Sequence, residues 1–311
     1  MNPVVISPLT QTPNTKWERD IKIAEIIKLY GKLFGLDIRY LFNGIEHISV
    51  YLCQDSGYRF YYPLHISGDE RFYSVLSKLD WYYNPWKWEH EQSLSFINEG
   101  FKVLEVGAGS GLFLKRVSDE IRNVTCVGLE INSSAITSAK KNNVDVRNES
   151  IEKHSASNNE TYDVVCSHQV LEHISDVYSF LNSQINCLKK GGKMIISVPN
   201  NDSFIKDNTM DTYILNTPPH HMGLWNEISF LYLSKLFNLN IDKVIMEPLQ
   251  PDSYTTFQYT LFRKMFLRND FLTRQYWRIH CKLNLLNPVN FLIKKTSKNI
   301  MGHTIMAIYT K

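Results

Sequence analysis

The sequence predicts a doubly wound α/β fold with a seven-stranded, mostly parallel sheet. Three observations carry this. From Phe101 onward, short apolar runs alternate with amphipathic segments, the pattern of strands separated by covering helices. The first run, Val103–Val106, ends in a glycine-rich turn, Gly107-Ala108-Gly109-Ser110-Gly111, and the amphipathic segment Leu112–Ile121 follows. The second run, Val124–Leu129, ends in an acid, Glu130. Glycines at a strand–helix junction let the backbone approach a bound ligand, because no Cβ stands in the way.

Composition bounds the reading. The 311 residues allow one large domain or two smaller ones, and an apolar fraction of 43% sustains a sizeable core. No run approaches the ~20 apolar residues of a membrane span. Met1–Thr15 shows no basic stretch followed by an apolar run, so no signal peptide is expected. The five cysteines are odd in number and widely spaced, which reads as reduced, cytoplasmic usage rather than a disulfide frame. The net charge of +3 conceals an asymmetry. Between Leu261 and Lys298, nine basic residues stand against Asp270 alone, so that segment carries +8 and the rest of the chain −5.

The N-terminal 90 residues read as an accessory region of helix and hairpin. Residues 1–15 are expected to be a loose lead-in. Lys16–Phe34 has apolar residues at a helical period, with Gly35 as its stop. Ile48–Cys53 and Tyr58–Pro63 read as strands joined at Asp55-Ser56-Gly57, a hairpin. Cys53 stands alone beside His47 and His65, whereas zinc ribbons need paired cysteines, so no metal is expected. Asp69–Glu91 is rich in aromatic residues, among them Trp81, Tyr82, Tyr83, Trp86 and Trp88. Such density suits either core packing or the wall of a partly wet cleft, with core the expectation for most of them. A helix is expected from His90 to about Asn98.

The main domain is expected over residues 91–248 and 302–311. Its strands are read at Lys102–Val106, Val124–Leu129, Val144–Arg147, Tyr162–Ser167, Lys193–Val198 and Ile241–Met246, with Gly191-Gly192 turning into the fifth. Helices are read over Ser133–Lys141, Asp176–Leu188 and Trp225–Phe237. Residues 249–301 form a basic, helical insertion, and Gly302–Tyr309 returns as the seventh strand, hairpinned against the sixth or inserted beside it.

The glycines fall at 107, 109 and 111, with Glu105 two places before the first, and Leu112 stands where a dinucleotide site wants a small residue. This E-x-G-x-G-x-G turn resembles the first motif of the class I S-adenosylmethionine-dependent methyltransferases. Gly128-Leu129-Glu130 is similar to the family's ribose-binding acid. Tyr162–Ile174, with Leu171-Glu172-His173 inside it, resembles the corresponding stretch of quinone and small-molecule O-methyltransferases. Leu188-Lys189-Lys190-Gly191-Gly192 resembles the turn of the same subgroup. The resemblance implies a Rossmann-like fold and S-adenosyl-L-methionine as cofactor. By position, Glu105 would orient the cofactor's amino end, and Gly107, Ala108, Gly109 and Gly111 would let the backbone approach it. Glu130 would hold the ribose, with Ile131 beside it, and Ser150 and Ile151 would lie along the adenine. Ser167, His168 and Gln169 would face the methionine part and the substrate.

Transfer of a methyl group to oxygen needs alignment of the acceptor and removal of its proton. Histidine suits that task near neutral pH. The candidates are His220 and His221 in Pro218-Pro219-His220-His221, then His168. Asn200 and Asn201 follow the fifth strand, where parallel sheets bind ligands, and are expected to contact substrate, as are Trp86 and Trp88. The acceptor expected is a sugar, glycan or other small hydroxylated molecule, because Ser56–Phe60 and Pro219–His221 are similar to bacterial polysaccharide-cluster methyltransferases. A quinone or lipid acceptor is the alternative, and an inactive cofactor-binding partner protein the rival of another class. The insertion, 261–298, reads as a lid over an anionic acceptor, as a peripheral contact with the inner face of a membrane, or as a solvated basic face. No nucleic-acid partner is expected, since no nucleic-acid module accompanies it.

Overall fold

The computed structural model describes residues 4–79, 82, 86–207 and 213–311. Trp81 and Tyr83 of the aromatic stretch lie outside them. The N-terminal part supplies β1 (Thr15–Lys22), α1 (Ile23–Phe34), β2 (His47–Cys53), β3 (Arg59–Tyr62), α2 (Glu70–Leu76) and α3 (Trp88–Leu94). Strands and helices then alternate through β4 (Lys102–Val106), α4 (Leu112–Glu120), β5 (Thr125–Leu129), α5 (Ser133–Lys141), β6 (Val146–Arg147) and α6 (Ile151–Ser155). They continue through β7 (Tyr162–His168), α7 (Val177–Cys187), β8 (Leu188–Pro199), β9 (Gly223–Leu224), α8 (Glu227–Phe237) and β10 (Asn240–Pro248). The insertion is α9 (Tyr254–Met265), α10 (Asp270–Lys282) and α11 (Leu286–Thr296), and β11 (Met301–Thr310) closes the chain.

The large sheet runs β10-β11-β8-β7-β4-β5-β6. β6, β5, β4, β7 and β8 are parallel, whereas β11 is antiparallel to both β8 and β10. The last strand is thus inserted between the fifth and sixth strands of the sheet, settling an alternative the sequence left open. The strand order reverses at β4 and β7, whose carboxyl ends carry the glycine turn and His168; such a switch point opens a crevice for ligand.

Local chemistry fixes the element ends. Gly35 ends α1 in the left-handed region, as its position suggests. Asn132 caps α5, and Asn226 with Ser229 forms a capping box on α8.

Three N-terminal and strand expectations are corrected. Thr15–Lys22 is a strand, not the start of a helix: it pairs antiparallel with β2 from Thr15↔Cys53 to Lys22↔His47. Ladder pairing outweighs a helical period carried by Ile23, Ile26, Ile27, Tyr30 and Leu33, all beyond the strand. Nor is the lead-in loose. Val5 and Leu9 are buried in the main core, and the Thr10 hydroxyl sits 3.4 Å from Cys53 Sγ. Gly191-Gly192 does not precede the fifth strand but bulges from it, since Tyr162 pairs with Leu188 and Val164 with Lys193.

The second sheet, β1-β2-β3-β9, draws its last strand from far along the chain, with Phe60 paired to Gly223. One apolar core runs through both sheets, and Trp225, fully buried, lies on Tyr58 with ring centroids 4.3 Å apart. The five cysteines are free thiols. No helix among the described residues is long and apolar enough to cross a membrane.

Candidate active site

A cavity of about 1530 Å³ lies over the carboxyl ends of the parallel strands and beneath the N-terminal part. Its floor is the glycine turn. Gly107 and Gly109 take φ of +75° and +54°, which favours glycine. A Cβ on Gly107 would stand 2.4 Å from Val170 Cγ2, so the turn is pressed against the segment after β7.

Two acids frame this turn. Glu130 folds back across it: Oε2 accepts the Gly109 N–H at 2.9 Å, and Oε1 accepts those of Ile131 and Asn132, both at 2.8 Å. A carboxylate offers about four acceptor positions, so these three bonds fix it and leave Oε2 able to take a hydroxyl. Glu105 is 4% exposed. Its Oε1 lies 3.3 Å from His168 Nδ1, and its Oε2 is buried with no partner among the described residues. Burial, then the nearby Glu130 charge, hold the Glu105 carboxyl well above the usual carboxylate range.

His168 is clamped between that carboxyl and Ser93, whose hydroxyl lies 2.9 Å from Nε2. Burial pushes its imidazole down to about 4, so it is neutral near pH 7. With both nitrogens engaged, His168 is a poor proton acceptor for a substrate. Gln169 takes φ of +55°, a strained conformation for a side-chain residue, and donates to Glu89 Oε1 at 3.0 Å.

These features fit S-adenosylmethionine. The unpartnered Glu105 oxygen would answer a cationic amine, the bare backbone at Gly107–Gly109 would admit the ligand closely, and Glu130 would meet hydroxyls.

The opposite wall is a histidine cluster. His173, His220 and His221 have ring centroids 4.5 to 4.9 Å apart. Burial lowers all three: His173 to about 4, His220 and His221 well below their ordinary range. Their tautomers follow from their partners. His220 Nδ1 donates to the Leu215 carbonyl at 3.0 Å, so Nε2 accepts from the Tyr82 hydroxyl at 3.1 Å. His221 is fixed by a relay. Asn201 Nδ2 donates to the Pro199 carbonyl at 3.1 Å, so its Oδ1 receives Asn216 Nδ2 at 2.8 Å. Asn216 Oδ1 therefore faces His221 Nδ1 at 3.0 Å, and that nitrogen must carry the proton. His221 Nε2 is left as a lone pair lacking a partner among the described residues. Behind the cluster, burial raises Glu172 to about 8, and its Oε2 has no partner.

Neutral imidazoles also suit a metal. The ligand atoms of His173, His220 and His221 lie within 4.8 Å of one another, as do those of His90, Glu105 and His168. Either set could hold an ion, although His220 would have to release Tyr82.

Residues 85–244, just over half of the chain, match the family model described as "Methyltransferase domain". The chain belongs to the methyltransferase family. S-adenosylmethionine is its cofactor. Among curated relatives, the ubiquinone biosynthesis O-methyltransferase of Klebsiella pneumoniae is 33% identical over 107 residues, 32% of this chain and 43% of that protein. Its counterpart from Citrobacter koseri is 29% identical over 156 residues, 48% of this chain and 62% of the relative. The matches thus span 43% to 62% of these relatives' length. A solved SAM-dependent methyltransferase from Archaeoglobus fulgidus is 15% identical, with a TM-score of 0.49, and covers 78% of this chain and 95% of its own.

The methyltransferase cavity gathers most of the expected site residues. Glu105, Gly107, Ala108, Gly109, Glu130 and Ile131 line one side, with Ser150 and Ile151 beyond. His168, Gln169, Trp86 and Trp88 line it too, and His220 and His221 close the far side. The Ser150 hydroxyl also accepts the Lys153 N–H, capping α6.

Four residues fall outside. Gly111 serves the N-terminus of α4 and packs against Val144. Ser167 points to the face opposite His168, as strand alternation requires, and is fully buried. Asn200 is buried, with Nδ2 on Met246 Sδ and Oδ1 accepting the Asp202 N–H, and Asn201 serves the relay to His221. Neither asparagine reaches the cavity. Conversely, Glu172, Asn216 and Ser93 shape the site although the sequence does not mark them as site residues, and Tyr82 of the aromatic stretch proves to be part of the cleft wall. Glu172 lies within Leu171-Glu172-His173, whereas Asn216 carries no sequence signal, because it meets His221 only through the turn at Ile214–Asn216.

Proposed function

We propose that this methyltransferase methylates a hydroxyl on a small, ring-shaped acceptor, with His221 Nε2 taking the proton. The carrying observation is the asparagine relay, which fixes the His221 tautomer and leaves its Nε2 with an open lone pair at the cavity wall. S-adenosylmethionine supplies an already activated methyl group when bound. The chain holds the cofactor through Glu105, the glycine turn and Glu130. Trp86, Trp88 and Tyr82 supply aromatic surface against which a ring can be aligned. A histidine lowered by burial is a weak base, which favours an acidic hydroxyl. A phenol near the tyrosine value of about 10 suits it better than an aliphatic alcohol. The relatives' names, which refer to ubiquinone biosynthesis, point the same way, so the phenolic or quinol acceptor ranks above the sugar.

The test is release of S-adenosylhomocysteine with a panel of catechols, hydroquinones and sugars. Turnover on phenols that falls at least ~100-fold in His221→Ala, with cofactor affinity retained, is expected. Turnover on sugars alone overturns the acceptor class. Undiminished turnover in the variant removes His221 as the base. Cofactor binding with no product from any acceptor favours a non-catalytic partner protein.

A further inference from the structure

The insertion α9–α11 exposes what a solvated helical face ordinarily hides. Of the twenty large apolar side chains that are exposed among the described residues, eleven fall between Leu261 and Leu292. Leu267, at the turn between α9 and α10, is 92% exposed, and Phe271 is 68% exposed. On α10, Leu272, Tyr276, Ile279 and Leu283 recur at the helical period and form one exposed stripe, while Thr273 and His280 face inward. Arg274, Arg278 and Lys282 recur every fourth residue on a neighbouring stripe.

The charge is equally one-sided. Asp207 and Asp270 answer Arg263, Lys264 and Arg268. Arg278, Lys282, Lys294 and Lys298 make no ion pair among the described residues. Apolar groups interleaved with cations suit an occupant that is both anionic and oily. Nucleic acid would use the cations and leave Leu267 and Phe271 unexplained. A second copy of the chain would set this cationic face against itself. No described helix can span a bilayer, so the contact is with its surface.

We propose that α9–α11 docks this chain on an anionic lipid bilayer, with Leu267 and Phe271 entering the acyl boundary and Arg278 and Lys282 meeting lipid headgroups. The root of the insertion, Gln250–Ser253, lines the catalytic cavity, so docking holds the cavity mouth at the membrane.

The experiment is co-sedimentation of the full chain with vesicles of phosphatidylcholine alone or mixed equally with phosphatidylglycerol. Binding to the mixed vesicles only, weakened by salt, is expected. Leu267→Asp with Phe271→Asp lowers it at least ~tenfold, and Arg278→Glu with Lys282→Glu lowers it roughly fivefold per cation removed. Affinity for S-adenosylhomocysteine, read by calorimetry, stays unchanged in both variants and reports folding. Equal binding to both vesicles, binding to neither, or undiminished binding by the folded variants overturns the proposal. So does a concentration-dependent dimer that the Leu267/Phe271 variant disperses, because the face is then an interface between copies.

Discussion

Replacing Glu172 by Gln should make the protein more stable at alkaline pH. The carboxyl is 1% exposed, its Oε2 has no partner, and burial raises it from the ordinary 4.5 to about 8. Between those two values the folded chain keeps a proton that the unfolded chain has released. Wild-type stability therefore falls as pH rises through this window and levels off above it. From 4.5 to about 8, at about 1.36 kcal/mol per pH unit, the loss is roughly 5 kcal/mol. Glutamine is the neutral isostere, so the variant lacks this loss. Urea denaturation at about pH 5 should give similar stabilities, and at about pH 9 the variant should lead by several kcal/mol. Glu105 and Glu247, the latter raised to about 7, add slope of the same sign, but both proteins share it. The lowered histidines act at the other end: His168 and His173 cost stability as pH falls from about 6.5 toward 4, again in both proteins. Stability curves that run parallel for wild type and variant would refute the burial argument.

Glu130→Ala should weaken S-adenosylhomocysteine binding roughly 10- to 100-fold, because it removes one charged acceptor and frees Gly109, Ile131 and Asn132. Calorimetry decides this, and an unchanged affinity removes the ribose assignment. Asn216→Ala should lower kcat by about tenfold or more at constant cofactor affinity, since His221 then samples both tautomers. Equal kcat would show that the relay does not set the base. Gly107→Ala should cost about 1–2 kcal/mol from its positive φ alone, plus the clash with Val170, and the urea midpoint reads it directly.

The parts of this chain that a reader can take from the sequence are those governed by neighbours along it. Strand β4, the glycine turn, Glu130 and α5 each depend on a few consecutive residues. What escaped depends on residues distant in the chain. β9 is two residues long, and only pairing with Arg59 and Phe60 makes it a strand. Thr15–Lys22 became a strand because β2 lies beside it. Asn200 and Asn201 stand where ligands usually bind, yet their side chains close the turn after β8. The proposed preference for His221 over His220 rests on hydrogen-bond directions that no spacing encodes.

The segment bearing the two histidines is stitched on both flanks. Met222 donates its N–H to the Glu172 carbonyl, its own carbonyl accepts from Tyr61, and Pro219 accepts from Gly68. The His221 ring, the base proposed above, is thus suspended between two sheets, like a rung between rails. Neither half owns it. The N-terminal 90 residues therefore cannot be exchanged as a cassette for those of another enzyme, even one with the same cofactor half. Acceptor range should instead shift through single changes on either rail, each moving the rung slightly.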